Sequence, residues 1–189
     1  MEWILASQSP RRKELFGEIV EKFEIVPAKG EEDARGESTP ENVVKALARQ
    51  KAKEVAAMPI ARSKAVLGAD TIVTLDGEIL GKPKDEEDAV RMLTVLSGRT
   101  HEVFTGVCIV YPQTSGQSKE LLAAACTKVV FKKLTMRQIK DYVATGSPMD
   151  KAGAYGIQDG GLVQRIDGSF SNVVGLPIEL CKELINTLV

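Results

Sequence analysis

The sequence predicts an α/β protein, because helical and strand patterns alternate along the chain and two of the strands are apolar enough to be buried. A short apolar strand at residues 3–6 runs directly into a helix start at Ser9-Pro10. A later strand, residues 65–75, is almost continuously apolar, as expected of a strand covered on both faces, yet it carries Asp70 in its middle.

Taken in order, Ser9 suits a helix cap and Pro10 the first turn, where its missing N–H costs nothing. Residues 23–27 read as a strand and the charged stretch 29–38 as an exposed loop. Thr39-Pro40 opens the next helix by the same logic. Val44, Leu47, Ala48, Lys51, Ala52 and Val55 fall at helical spacing on it, so Lys51 interrupts an apolar stripe and is expected to face a cleft. Asp76-Gly77 is a two-residue hairpin signal leading into Glu78-Ile79-Leu80. Residues 85–88 load negative charge onto the start of a helix with the face Ala89, Val90, Leu93 and Leu96, which Ser97-Gly98 stops. Residues 103–111 and 121–131 flank a turn-rich loop at 112–118 and read as an antiparallel hairpin. Thr135 and Gln138 have capping-box spacing for a helix ending at Gly146. A glycine-rich region, 153–175, precedes a closing helix, 176–189, that carries Leu180, Leu184, Ile185 and Leu188.

At 189 residues with 43% hydrophobic content, the chain fits one domain, either compact or built as two lobes sharing a cleft. The 25 basic and 26 acidic residues nearly cancel, which argues against a nucleic-acid polymer or an anionic membrane as partner. Cys108, Cys126 and Cys181 are widely spaced and far from the lone His101, a pattern that fits a reducing compartment and no zinc site of the usual kind. The first residues show no basic leader ahead of a long apolar stretch, and no apolar run approaches the ~20 residues that span a bilayer. A soluble, cytoplasmic protein is expected.

The chemistry concentrates in a few places. Ser7-Gln8-Ser9-Pro10-Arg11-Arg12 sets free backbone donors at a helix start beside two guanidinium groups, which suits phosphate; the alternative is a capped surface helix with solvated arginines. Asp70, a carboxylate in an apolar strand, needs a metal, a cation or hydrogen-bond donors to offset its burial. Continuing the strand pairing across Asp76-Gly77 sets Thr71 opposite Lys82 and Asp70 opposite Pro83. Ladder neighbours face opposite ways, so Asp70 and Lys82 share a site only if Gly81-Lys82-Pro83 bends the strand. Lys51 either joins that site or snorkels to water, and Glu31 and Glu32 read as solvated charges. The run from Lys151 to Gln158 lets backbone approach a ligand closely, but it is neither a P-loop nor a dinucleotide fingerprint.

Together, Ser7-Gln8-Ser9-Pro10-Arg11-Arg12, Leu47-Ala48-Arg49-Gln50-Lys51-Ala52, Gly68-Ala69-Asp70-Thr71-Ile72-Val73, Gly81-Lys82-Pro83, the 151–158 run and Val174-Gly175-Leu176-Pro177 resemble the Maf family nearly end to end. The resemblance implies one domain over residues 1–189, of mixed α/β architecture like that of inosine triphosphate pyrophosphatases: elongated, two-lobed, with a central cleft, and commonly a homodimer. It implies active-site roles for Ser7, Arg11, Arg12, Glu32, Lys51, Asp70 and Lys82, with Asp70 as proton acceptor. It also places Arg11, Thr71 and Gln158 at positions that separate the family's branches, here matching the branch acting on dTTP and UTP. Members preferring 7-methyl-GTP carry tryptophan in place of Thr71. Asp159-Gly160-Gly161, after Gln158, falls where related sequences vary in length.

The implied activity is a nucleoside triphosphate pyrophosphatase. Arg11, Arg12, Lys51 and Lys82 neutralise and orient phosphates, Asp70 and Glu32 hold Mg²⁺ or Mn²⁺ and position water, and Asp70 takes the water's proton. The rival readings are a purine-specific house-cleaning pyrophosphatase on the same architecture and a non-catalytic nucleotide sensor regulating cell division.

Overall fold

The computed structural model describes residues 1–113 and 117–188, so the middle of the 112–118 loop and Val189 lie outside the described residues. Among the described residues seven strands form one mixed sheet: β1 (Glu2–Leu5), β2 (Glu24–Ile25), β3 (Lys64–Leu75), β4 (Glu78–Leu80), β5 (Thr100–Pro112), β6 (Ser118–Phe131) and β7 (Val163–Asp167). Their order is β2-β1-β3-β5-β6-β7, with β4 added on β3. β1 runs parallel to β2 and β3, and every other pair is antiparallel. The helices are α1 (Pro10–Gly17), α2 (Pro40–Ala56), α3 (Glu86–Leu96), α4 (Met136–Val143), α5 (Phe170–Val174) and α6 (Ile178–Asn186).

The helix starts fall where the cap residues put them. The side chains of Ser9, Thr39 and Asp85 accept from the backbone N–H groups of Arg12, Asn42 and Asp88, and Thr135 and Gln138 form both halves of a capping box. Each such cap is worth about 1 kcal/mol. Among the described residues no helix is long and apolar enough to cross a membrane.

Three expectations need correction. The strand read at 23–27 shrinks to Glu24–Ile25, both residues exposed. The glycine-rich region holds β7 and α5, neither visible in the pattern. Among the described residues β7 pairs on one edge, with β6, so its burial is irregular, and α5 is a five-residue helix set by the Ser169 cap and stopped by Gly175 at φ 129°. The hairpin across Asp76-Gly77 keeps the Leu75–Glu78 register but ends at Leu80, so the extrapolated Thr71–Lys82 and Asp70–Pro83 pairs do not form. Gly81 leaves the ladder there, and its carbonyl accepts from the Gly153 N–H at 3.0 Å.

That departure shapes the molecule. Along one edge of β3, β1 pairs with Lys64–Leu67 and β4 with Val73–Leu75. Residues 68–72 between them have no strand partner on that edge among the described residues, although β5 pairs the other edge continuously from Val66 to Thr74. The open stretch is centred on Asp70.

The two faces of β3 are packed differently. α2 lies on the face of Gly68, Asp70 and Gly106, and it comes very close: a Cβ on Gly68 would stand 2.5 Å from the Ala48 carbonyl oxygen, and one on Gly106 2.2 Å from that of Val44. Only glycine allows this approach. On the opposite face Leu67 and Ala69 pack with Trp3, Leu15, Phe16, Val107, Leu176 and Cys181. Further along, Val73 and Leu75 join α3, Phe131, Ile139 and Tyr155 in a second apolar cluster.

Candidate active site

A cleft of ≈ 720 Å³ opens at the unpaired edge of β3, within the size range of small-molecule sites. Ser7, Arg11, Arg12, Glu32, Lys51, Asp70, Thr71, Lys82 and Gln158 all line it, so the residues to which the family resemblance gives site roles are brought together. Adjacent strand residues point to opposite faces, so Asp70 and Thr71 could share one cleft only at an edge left open.

On the α2 face, Asp70 is 8% exposed and its carboxylate is paired with the Lys51 ammonium. The same ammonium lies 2.8 Å from Glu32 Oε1. Lys51 therefore neither snorkels away nor floats, since it joins two carboxylates. Glu32 reaches it because its loop is pinned to α2: Glu54 accepts from the Lys29 and Gly30 N–H groups at 2.7 and 3.0 Å, Gln50 Oε1 accepts from the Asp33 N–H at 3.1 Å, and the Gln50 amide donates to the Glu31 carbonyl. The stretch read as solvated charge is thus held over the site by helix residues one turn apart. Lys82 reaches the cleft on the bend after β4, and among the described residues no carboxylate pairs with it.

On the other face, Arg12 is anchored twice. Its Nε donates to the Gly175 carbonyl at 2.8 Å and its Nη2 to Thr71 Oγ1 at 3.0 Å. Burial pulls the guanidinium below its ordinary range, and the charge of Asp70 opposes that pull. Ser7 is buried and accepts from the Ser9 N–H at 3.2 Å, which fixes the turn into α1.

The far wall contains residues the sequence did not single out. Arg11 Nη1 crosses to Asp150 Oδ2 at 3.3 Å, and Lys151 donates to Asp150 at 2.9 Å and to the Ser147 hydroxyl at 3.0 Å. Asp159 accepts from the hydroxyls of Tyr142 and Ser147, each at 2.6 Å, so the segment after Gln158 is tied down at its first residue. Gln158 itself is exposed, and no described hydrogen bond holds its amide. The only available signal for Lys151 was its place at the head of the glycine-rich run. Behind Tyr155, a further lining residue, lies His101, whose Nε2 is 2.7 Å from the Tyr155 hydroxyl. Burial lowers the His101 pKa to about 4.

On the lining, Arg11, Arg12, Lys51, Lys82 and Lys151 outnumber the carboxylates of Glu32, Asp70 and Asp150. Fold and cleft together define an α/β protein with a cleft in which cations outnumber carboxylates, beside a buried Asp70. The chain belongs to the Maf family: the sequence model described as "Maf-like protein" matches residues 2–188. A protein of Thermococcus gammatolerans named dTTP/UTP pyrophosphatase is 46% identical over 183 residues, covering 96% of this chain and 94% of its own. One of Citrifermentans bemidjiense with the same name is 50% identical over 177 residues, covering 93% and 89%. Among solved structures, the Staphylococcus aureus Ham1 protein superposes with a TM-score of 0.53 over 100% of both chains at 17% identity, a likeness of fold.

Proposed function

We propose that this chain hydrolyses dTTP and UTP between the α and β phosphates, releasing the monophosphate and pyrophosphate. The observation that carries the reading is Asp70, a buried carboxylate at the open edge of β3, paired with Lys51 in a cleft where cations outnumber carboxylates. Family membership and relatives of 46% to 50% identity named for this activity support the choice of substrates.

The residues fit a divalent ion. Asp70 and Glu32 are hard oxygen donors on either side of the Lys51 ammonium, so this spot already favours positive charge. Mg²⁺ or Mn²⁺ sites commonly use one or two carboxylates and complete their shell with phosphate oxygens and water. Among the described residues no cluster of three or more His, Cys, Asp or Glu offers an all-protein cage. When bound, the ion would neutralise phosphate charge and make the attacking water more acidic.

The protein's own groups then have distinct tasks. Arg11, Arg12 and Lys82 neutralise and orient the phosphates, and Lys51 can turn from its carboxylates to an entering phosphate. Asp70 accepts a proton as water attacks the α-phosphorus in line. The bond from that phosphorus to the bridging oxygen breaks, and the cations receive the charge on departing pyrophosphate. Gln158 can pair with N3–H and O4 of uracil or thymine. A homodimer working in the cytoplasm, with residues 1–189 as one two-lobed domain, completes the reading.

The test is a steady-state panel of common and modified triphosphates with pyrophosphate and orthophosphate measured separately. UTP and dTTP should give pyrophosphate, and chelation should abolish turnover until a divalent ion is restored. Orthophosphate with a diphosphate as first products would refute the proposal.

A further inference from the structure

We propose that Thr105 is a positioning residue of this site, orienting the Arg12 guanidinium toward the phosphates through the hydroxyl of Thr71. The proposal rests on the cleft being a triphosphate site. Thr105 itself is fully buried on β5, directly opposite Thr71 in the strand register.

The direction of each hydrogen bond follows from what each group can do. Thr105 Oγ1 lies 3.1 Å from the Asn172 carbonyl, an acceptor only, so the single hydroxyl proton of Thr105 goes there. Thr105 Oγ1 is also 2.9 Å from Thr71 Oγ1, and having spent its proton it accepts from Thr71, whose other available acceptor, the Gly175 carbonyl, is farther at 3.4 Å. Thr71, its own proton committed, then accepts from Arg12 Nη2, which can only donate. A one-way chain results, running from Arg12 to Thr71, to Thr105, to the backbone of α5.

The far end of the chain is rigid. The Asn172 side-chain amide is fully buried and donates to the Val103 carbonyl and to Thr127 Oγ1, both at 3.0 Å. Thr127 Oγ1 donates to the Ser169 carbonyl at 3.2 Å and accepts from the Ser169 N–H at 3.1 Å. α5 is thereby locked to β5 and β6, and Gly175, just past its end, supplies the carbonyl that takes Arg12 Nε. Two acceptors fixed from one short helix define the guanidinium plane, leaving its remaining N–H groups for phosphate.

The chain also changes the role of Thr71. Its hydroxyl has no proton to offer a nucleobase, so Thr71 can reach the ring only as an acceptor or by its shape. Its main polar task is to hold Arg12.

The test compares Thr105→Val, which removes the hydroxyl at nearly constant volume, with Thr105→Ser, which keeps it, and combines each with Thr71→Val. Calorimetry reads affinity for inorganic tripolyphosphate, and kinetics read kcat and KM for UTP. Thr105→Val should weaken tripolyphosphate binding roughly five- to ten-fold, the order expected for one lost hydrogen bond. Thr105→Ser should stay within about two-fold of wild type, and Thr105→Val on a Thr71→Val background should cost less than about two-fold more. Should Thr105→Val fail to fold, Thr105→Ala takes its place with the same expected loss. Unchanged tripolyphosphate affinity in the Val or Ala variant, or losses that multiply in the double variant, would overturn the proposal. Because tripolyphosphate affinity is read without turnover, failure of this coupling and failure of the dTTP and UTP activity are separate results.

Discussion

The two faces of β3 do different work within one cleft. On the α2 face, Asp70, Lys51 and Glu32 form an ionic cluster closed by a loop, and Glu32 remains 56% exposed on its side chain. On the opposite face, Arg12, Thr71, Thr105 and Asn172 form a largely buried chain with each hydroxyl committed. The first face is ionic and partly solvated, the second hydrogen-bonded and largely buried. A site that must both move a proton and hold a polyanion still needs both kinds of environment, and the open edge of one strand lets them meet.

The largest expected effect breaks the ionic side. Asp70→Asn keeps the shape while removing charge and basicity, and turnover of UTP should fall by about 10² or more. Glu32 still pairs with Lys51 in this variant, so the melting temperature should move by no more than ~4 °C, the shift of about 1 kcal/mol in a protein of this size. Wild-type turnover would assign Asp70 a structural task and leave the proposed chemistry without its base.

The next effect asks how far the dry environment extends. His101 is buried with its pKa lowered to about 4, against 6.5 in the unfolded chain. Between those values the unfolded chain binds more protons, so stability is full above pH 6.5 and is lost as pH falls toward 4, by on the order of 3 kcal/mol. Urea melts at several pH values should show that slope for wild type and a flatter one for His101→Phe. An equally steep slope in the variant would place the acid sensitivity elsewhere.

Gln158 probes the rim, where neither face controls the side chain. Gln158→Ala should lower kcat/KM for UTP and dTTP by roughly 10- to 100-fold, or ~1–3 kcal/mol, with little change in tripolyphosphate affinity. Equal losses on UTP, dTTP, CTP and GTP would mean that the residue supports the fold or the phosphates and does not read the base.

The smallest effect concerns the bridge between Arg11 and Asp150. Their side chains are 27% and 63% exposed, and such pairs are worth about 0–1 kcal/mol. Asp150→Asn should free Arg11 and tighten tripolyphosphate binding by less than about five-fold in calorimetry. A ten-fold loss would give Asp150 a direct role in holding the ligand.

The comparison of the two faces also accounts for what could be read in advance. Asp70 and Lys51 stood out because each breaks an apolar pattern, and such breaks are the marks a sequence leaves at a site. Helix starts were legible because Ser9, Thr39, Asp85 and Thr135 act on neighbours three residues away. Thr105 and Asn172 left no mark: a threonine in a β-strand and an asparagine in a glycine-rich run are ordinary, and their meaning lies in partners far along the chain. Glu32 was read as solvated for the same reason, since the groups pinning its loop, Gln50 and Glu54, belong to a helix whose distance from that loop no local pattern reveals. β7 and α5 were missed because both are short and held by tertiary contacts.

The unpaired stretch of β3 has a consequence for solvent exchange. The Leu67 carbonyl accepts from the Ala6 N–H, so it points to the β1 side, and strand alternation turns the peptide groups of Ala69 and Thr71 the same way. Of these two only Thr71 lines the cleft, so its amide hydrogen faces the open edge there, while Ala69 is fully buried off the lining and the amides of Gly68 and Asp70 face β5. In deuterated water the amide of Thr71 should therefore exchange early although it belongs to a central strand, and a bound nucleotide should slow it more than any other amide of β3.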